Sequence, residues 1–227
     1  MTRVKICGLT SFDDALFALE SGADMLGFIL YPRSPRYIKA EAVQAILNRL
    51  GDRRTRLTCV GVFVNEPVQS ILSILDQTKL DLAQLSGDEP VDTMKMLDVR
   101  AYKAVRQLQQ AREFLAVRSQ HSTNDSIPDL LLDAHHPVLY GGSGKQADHS
   151  LASIIARDCC LLLAGGLTPD NVADAVRNIR PWGVDVASGV EAAPGVKDHA
   201  KITRFMAEVR RVDRELQNGN SQGSKVR

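Results

Sequence analysis

Short apolar runs alternate with amphipathic stripes along the whole chain. The runs occupy positions 4–9, 25–30, 57–64, 80–85, 101–105, 130–134, 160–164 and 183–187. They are β-branched or continuously apolar, which predicts parallel strands buried on both faces. Between them, Val43, Ile46, Leu47 and Leu50 fall at i, i+3, i+4 and i+7. Val68, Ile71, Leu72 and Leu75 repeat that spacing, as do Val172, Ala175, Val176 and Ile179. Each stripe is one face of a helix. A last helix is expected to bury Ile202, Phe205, Met206 and Val209. Ser11 and Asp14 have capping-box spacing, and Thr168-Pro169 reads as a helix cap followed by proline in the first turn. Eight strands alternating with helices give an α/β protein, a single closed (β/α)8 barrel over residues 1–216. A doubly wound open sheet is the alternative that the same pattern allows. The polar stretch 217–227 has too little apolar surface to pack, and is expected as a disordered tail. The pattern is weakest over 107–129, where the helix dissolves into His121-Ser122-Thr123-Asn124-Asp125.

Composition narrows the class. With 44% hydrophobic and 24% charged residues among 227, the chain is ordinary globular protein. Its 28 Lys+Arg against 27 Asp+Glu leave +1, so no general field favours nucleic acid or an anionic membrane. No apolar run approaches the ~18 residues of a membrane helix, and the first residues lead into a strand without a signal-peptide core. Cys7, Cys59, Cys159 and Cys160 lack metal-finger spacing. Reduced thiols and a cytoplasmic location are the expectation.

Barrel enzymes place chemistry on the loops that follow the strands. Cys7 ends the first run beside Gly8, where it is either a small core residue or a functional thiol. The loop 31–37 carries Arg33 and Arg36 between two prolines, and a rigid arginine suits bidentate capture of a carboxylate or phosphate. Asp133 closes the apolar run Leu130-Leu131-Leu132. It either caps the following loop or serves as an acid, since burial favours the protonated form of such a carboxyl. His135 and His136 make no spaced ligand set, and no metal site is expected. Gly141-Gly142-Ser143-Gly144-Lys145, Gly165-Gly166 and Ser188-Gly189 are loops whose backbone N–H groups can cradle an anion. The first lacks P-loop spacing, which points to a small phosphorylated metabolite instead of ATP.

Taken in order, Lys5-Ile6-Cys7-Gly8-Leu9-Thr10, Tyr31-Pro32-Arg33-Ser34-Pro35-Arg36-Tyr37, Val60–Asn65, Gln84–Glu89, Leu132-Asp133-Ala134, Gly142–Lys145, Leu163–Pro169 and Gly183–Glu191 resemble the phosphoribosylanthranilate isomerases of tryptophan biosynthesis. The resemblance runs from residue 3 to about residue 210. It implies an Amadori rearrangement with Cys7 as general base and Asp133 as general acid. Arg36 would hold the anthranilate carboxylate, and Asp185 would contact the sugar. The phosphate would rest on the loops of Gly142, Gly166, Ser188 and Gly189. No cofactor or metal is implied, and the partner is a phosphorylated small molecule, with no nucleic acid or membrane. A monomer is expected, with a homodimer as the alternative. The chain departs from the family pattern in two segments. Ser86 stands where a histidine is common, and Ala147 and His149 stand where aromatic residues are usual. The rival readings are another phosphate-binding barrel enzyme, such as a ribulose-phosphate epimerase or indole-glycerol-phosphate synthase, and a barrel that binds phosphosugars without catalysis. The metal-binding histidines of the first and the full lysine–glutamate set of the second are missing from the sequence. The third would need neither Cys7 nor Asp133.

Overall fold

A computed structural model describes residues 1–118, 127–133 and 145–223. Eight parallel strands close into a barrel: β1 (Arg3–Ile6), β2 (Met25–Ile29), β3 (Thr58–Phe63), β4 (Leu82–Leu85), β5 (Ala101–Val105), β6 (Leu130–Asp133), β7 (Leu161–Ala164) and β8 (Gly183–Val186). Closure comes from β8 pairing with β1, with Lys5 opposite Asp185. The open-sheet alternative is thereby excluded. Seven of the helices pack around the barrel in chain order: α1 (Phe12–Glu20), α2 (Ala40–Leu50), α3 (Val68–Thr78), α4 (Val91–Leu97), α5 (Leu108–Arg118), α6 (Lys145–Asp158) and α7 (Val172–Ile179). After β8 come a short hairpin, β9 (Glu191–Ala193) with β10 (Val196–Lys197), and a long closing helix α8 (His199–Gly223).

The helical stripes do what their spacing requires. Val43, Ile46, Leu47 and Leu50 are all buried, as are Val172, Ala175, Val176 and Ile179. Burial of one such aliphatic side chain contributes about 1.5–3 kcal/mol. A second apolar cluster fills the barrel interior with Met25, Val60, Leu82, Tyr102, Leu131, Leu162 and Ala164.

The amino-terminal rim repeats one device. Asp24, Asp81 and Asp129 each sit one residue ahead of an even-numbered strand. Their carboxylates accept from Val4 N at 2.9 Å, Cys59 N at 2.7 Å and Cys160 N at 2.8 Å. The starts of β1, β3 and β7 are thus satisfied from a neighbouring strand. Asp213 on α8 holds the chain start, accepting from Thr2 N and Thr2 Oγ1.

Two local expectations land differently. Ser11 caps α1, its hydroxyl accepting from Asp14 N. Thr168, however, does not start α7, which begins at Val172 with Asn171 as its cap residue. The Asn171 amide folds back, accepting from Thr168 N and donating to Gly166 O, so the first turn after β7 is spent on the loop. At the other end, α8 runs on through Gly223, beyond the boundary expected at Leu216, although Gln217 and Asn218 are exposed. Residues 224–227 lie outside the described residues, as do 119–126 in the weakly patterned region.

Candidate active site

At the carboxyl ends of the strands a cavity of about 250 Å³ opens into the barrel. Ser86, Arg106, Asp133, Gly166, Asp185 and Ser188 are among its lining residues, contributed by or just after β4, β5, β6, β7 and β8. Asp133, the last residue of β6, is half-buried and lies opposite Ala164 on β7. Asp185 lies deeper, on β8, and is buried. Gly189 does not line the cavity. It lets the loop after β8 press on the loop after β7, because a Cβ there would run into the Leu167 carbonyl oxygen. Gly142, His135 and His136 lie outside the described residues.

Cys7 follows β1 directly and is 5% exposed. It sits behind the cavity wall, its N–H donating to the carbonyl of Val186, which lines the cavity. Burial pushes the Cys7 thiol above its usual range, opposed first by the charge of Lys5. Lys5 itself is wholly buried. Its ammonium donates to Gln84 Oε1 at 2.7 Å and stands 3.2 Å from Asp185 Oδ1. The Asp185 contact is an ion pair without hydrogen-bond alignment. Among the described residues, Asp185 Oδ1 is the buried side-chain oxygen that lacks an aligned donor. Burial therefore wins at Asp185 and raises its pKa, although Lys5 and Lys197 pull the other way. Lys5 also stays above its usual value, since Asp185, Cys7 and Tyr102 outweigh the cost of its burial. Gln84 ties the cluster together, accepting from Tyr102 OH at 2.9 Å and donating to Ser86 Oγ at 3.0 Å.

Arg36 does not line the cavity. Its guanidinium is engaged by Glu191, with Nε 2.8 Å from Oε1 and Nη2 2.7 Å from Oε2. Glu191 is buried and also accepts from Lys197 Nζ at 2.9 Å and from Gly195 N. Burial alone would push Glu191 up; Arg36 and Lys197 hold it below the usual carboxylate range. The β9–β10 hairpin thereby fixes Arg36 in one orientation.

The structure thus gathers Asp133, Asp185, Gly166 and Ser188 around one cavity, with Cys7 behind it and Arg36 to one side. The sequence did not single out the network of Lys5, Gln84 and Tyr102, the Glu191–Lys197 clamp on Arg36, or Arg106 on the cavity wall. One signal for the network was available: Lys5 interrupts an apolar strand two residues before Cys7, which puts both side chains on the same face. Among the described residues, no group of three or more His, Cys, Asp or Glu is placed to hold a metal ion. No helix described is long and apolar enough to cross a membrane.

Comparison with known proteins points in one direction. The family model described as N-(5'phosphoribosyl)anthranilate (PRA) isomerase matches residues 4–208. An N-(5'-phosphoribosyl)anthranilate isomerase of Trichlorobacter lovleyi is 44% identical over 212 residues, covering 91% of this chain and 97% of the relative. A crystal structure of phosphoribosyl anthranilate isomerase from Thermotoga maritima superposes with a TM-score of 0.78 at 41% identity, covering 92% of this chain and 99% of the other. Another isomerase structure, in complex with reduced 1-(o-carboxyphenylamino)-1-deoxyribulose 5-phosphate, gives 0.76 at 38% identity with the same coverage.

Proposed function

The chain belongs to the N-(5'-phosphoribosyl)anthranilate isomerase family, and from that premise we propose how its residues share out the reaction. The reaction is the isomerisation of N-(5'-phosphoribosyl)anthranilate in tryptophan biosynthesis. It is an Amadori rearrangement, converting an aminoaldose to an aminodeoxyketose. Asp133 protonates the ribose ring oxygen as the C1–O bond breaks, leaving a Schiff base. The Cys7 thiolate then takes the proton from C2, and the C–H electrons form the enolamine that becomes the ketose. One proton is given and one taken, so the substrate ends as an isomer.

Positioning falls to the other groups. Asp185, on the cavity wall, accepts from a sugar hydroxyl. Arg36, held through Nε and Nη2 by Glu191, presents Nη1 to the anthranilate carboxylate. Backbone N–H groups of the loops at Gly142, Gly166, Ser188 and Gly189 hold the phosphate, where a barrel phosphate site is ordinarily built. We place the enzyme in the cytoplasm, in keeping with its four free cysteines. It acts as a monomer: among the described residues, the exposed large apolar side chains, Met1, Tyr37, Met96, Val99, Ile154 and Val196, come from several segments of the chain.

One observation carries this mechanism. A half-buried carboxylate on β6 and a buried one on β8 face the same cavity, with the Cys7 thiol immediately behind it. Turnover of Cys7→Ala and Asp133→Asn with fresh phosphoribosylanthranilate is the test. Each loses about 10²–10⁴-fold in kcat, the usual worth of general acid or base catalysis. Affinity for the phosphate product is retained in both. An Asn variant working near the wild-type rate would remove Asp133 from the acid's role, because an amide has no acidic proton to deliver.

A further inference from the structure

We infer that Lys5 is the positioning residue for Cys7: its ammonium, enclosed in the barrel among Gln84, Asp185 and the Cys7 sulfur, is the counter-cation that lets a buried cysteine serve as base. The inference rests on the reading of Cys7 as that base.

Strand alternation sets the geometry. Lys5 and Cys7 are two residues apart at the end of β1, so both side chains take the inner face. Across from them on β2, Gly27 leaves the space they need. A Cβ at Gly27 would come 2.8 Å from Cys7 Sγ and 3.1 Å from Lys5 Cε. A fully buried ammonium is costly, and apolar packing alone would be served at least as well by methionine. The charge is shared between its carboxylate, the larger influence, and Cys7. Nζ donates to the neutral Gln84 at 2.7 Å, while Asp185 Oδ1 stands at 3.2 Å without alignment. The Cys7 sulfur, on the same face two residues on, is the next opposite-charge neighbour of that ammonium.

The charged and titratable groups facing Cys7 are Lys5 on β1, Arg36 after β2, Tyr102 on β5, Asp185 on β8 and Lys197 on β10. Burial pushes the thiol up; Lys5 opposes it most, Asp185 adds to it and Lys197 opposes it again. Proton traffic follows from this. The thiol loses its proton to solvent before chemistry, the thiolate takes the substrate's C2 proton, and Lys5 keeps all three of its protons throughout. A substrate hydroxyl donated to Asp185 weakens that carboxylate's hold on Lys5 and strengthens the ammonium's hold on the thiolate.

Opposite neighbours must move the same titration in opposite directions. In Lys5→Met, the acidic limb of the kcat/KM profile moves up by about one pH unit or more, as loss of an adjacent opposite charge requires. The rate near neutral pH falls about tenfold or more and recovers in alkali. In Asp185→Asn the plateau falls but the limb moves down. A Lys5→Met enzyme slowed by the same factor at every pH, its limb unmoved, would reduce Lys5 to packing and overturn the inference. Circular dichroism checks that the Met variant folds. Should it not fold, Lys5→Gln, uncharged but polar, takes its place, read by ultraviolet titration of the Cys7 thiolate in full-length protein with Cys59, Cys159 and Cys160 replaced by serine. An upward shift in the Lys5→Gln protein upholds the inference, and an unmoved or downward one overturns it. Cys7→Ala separates the two layers. If Cys7→Ala stays active, the base reading itself fails; if it is inactive while the Lys5→Met limb is unmoved, only the role of Lys5 fails.

Discussion

Among the described residues, the buried lysine–carboxylate pairs Lys103–Glu89 and Lys5–Asp185 are of similar burial and opposite completeness. Lys103 donates to Glu89 Oε2 at 2.7 Å and to the carbonyls of Leu85 and Gly87. Glu89 in turn accepts from Asn65 N at 2.8 Å and from Gly87 N. Every strong donor in this pair has an acceptor, and the pair stands off the cavity wall. Burial would raise Glu89, but Lys103 and the Asn65 N–H hold it below the usual carboxylate range. At Lys5–Asp185 the balance runs the other way: Asp185 lines the cavity, Oδ1 has no aligned donor, and burial raises its pKa. A buried ion pair closed on itself ties a loop to the barrel. One left open toward a cavity is prepared for a ligand, at a cost to the empty fold.

The largest expected effect tests the closed pair. Lys103→Met removes one partner and leaves the Glu89 carboxylate buried without its cation, which typically costs about 3–5 kcal/mol. For a domain of this size that lowers Tm by roughly 6–20 °C, at about 2–4 °C per kcal/mol. Calorimetry of Lys103→Met beside Asp185→Asn gives the contrast. The Asn variant should melt much closer to wild type, because the native fold already disfavours the Asp185 charge. Equal losses of Tm would mean that both pairs are structural.

What the sequence disclosed follows from where each signal is stored. Strands buried on both faces are written as local apolar runs, so all eight could be read from one segment at a time. The same holds for the Ser11 cap, complete within four residues. The Lys5–Asp185 pair exists only because β8 closes on β1, bringing together residues far apart in the chain. Glu191 and Arg36 are likewise 155 positions apart, and no periodicity links them. Thr168 was misread because Asn171, three residues on, competes for the same turn. Cys7 and Asp133 stood out as chemistry at strand ends and Asp185 came only through the family resemblance, whereas the lysine behind them was hidden as one charge in an apolar strand.

A smaller effect sharpens the comparison through pH. Glu89 has a lowered pKa in the fold, so its contribution is present above the ordinary value of 4.5 and is lost as pH falls through the lowered one. Glu89→Gln should therefore lose stability at neutral pH and show a shallower fall of Tm on acidification. Asp185 has the opposite sign: its raised pKa makes the charge a cost that grows as pH rises. Asp185→Asn removes a group that gains stability on protonation, so the fall of Tm on acidification should be steeper than in wild type. Flattening by the Asp185 variant, and none by the Glu89 variant, would reverse the two assignments.

The smallest expected effect is at the end of α8. We propose that the barrel domain ends functionally at Leu216. The buried face of α8 consists of Ile202, Phe205, Met206, Val209, Val212 and Asp213, and Asp213 is also the group that holds the amino terminus at Thr2. Beyond it Arg214 and Glu215 are exposed, Leu216 is half-buried, and Gln217 and Asn218 are exposed again. The helix continues to Gly223, and a helical stretch of such polar composition contributes little to folding on its own. A chain truncated after Leu216 should keep both kcat and Tm. One truncated after Arg211 loses Val212 and Asp213, leaves Thr2 without its carboxylate acceptor, and should melt several degrees lower, since removing a partner from a buried donor costs about 1–3 kcal/mol. Thermal melts of the two truncations decide the boundary. A clear drop in Tm for the chain ending at Leu216 would show that residues beyond it dock on the barrel, and would move the domain's end toward Gly223.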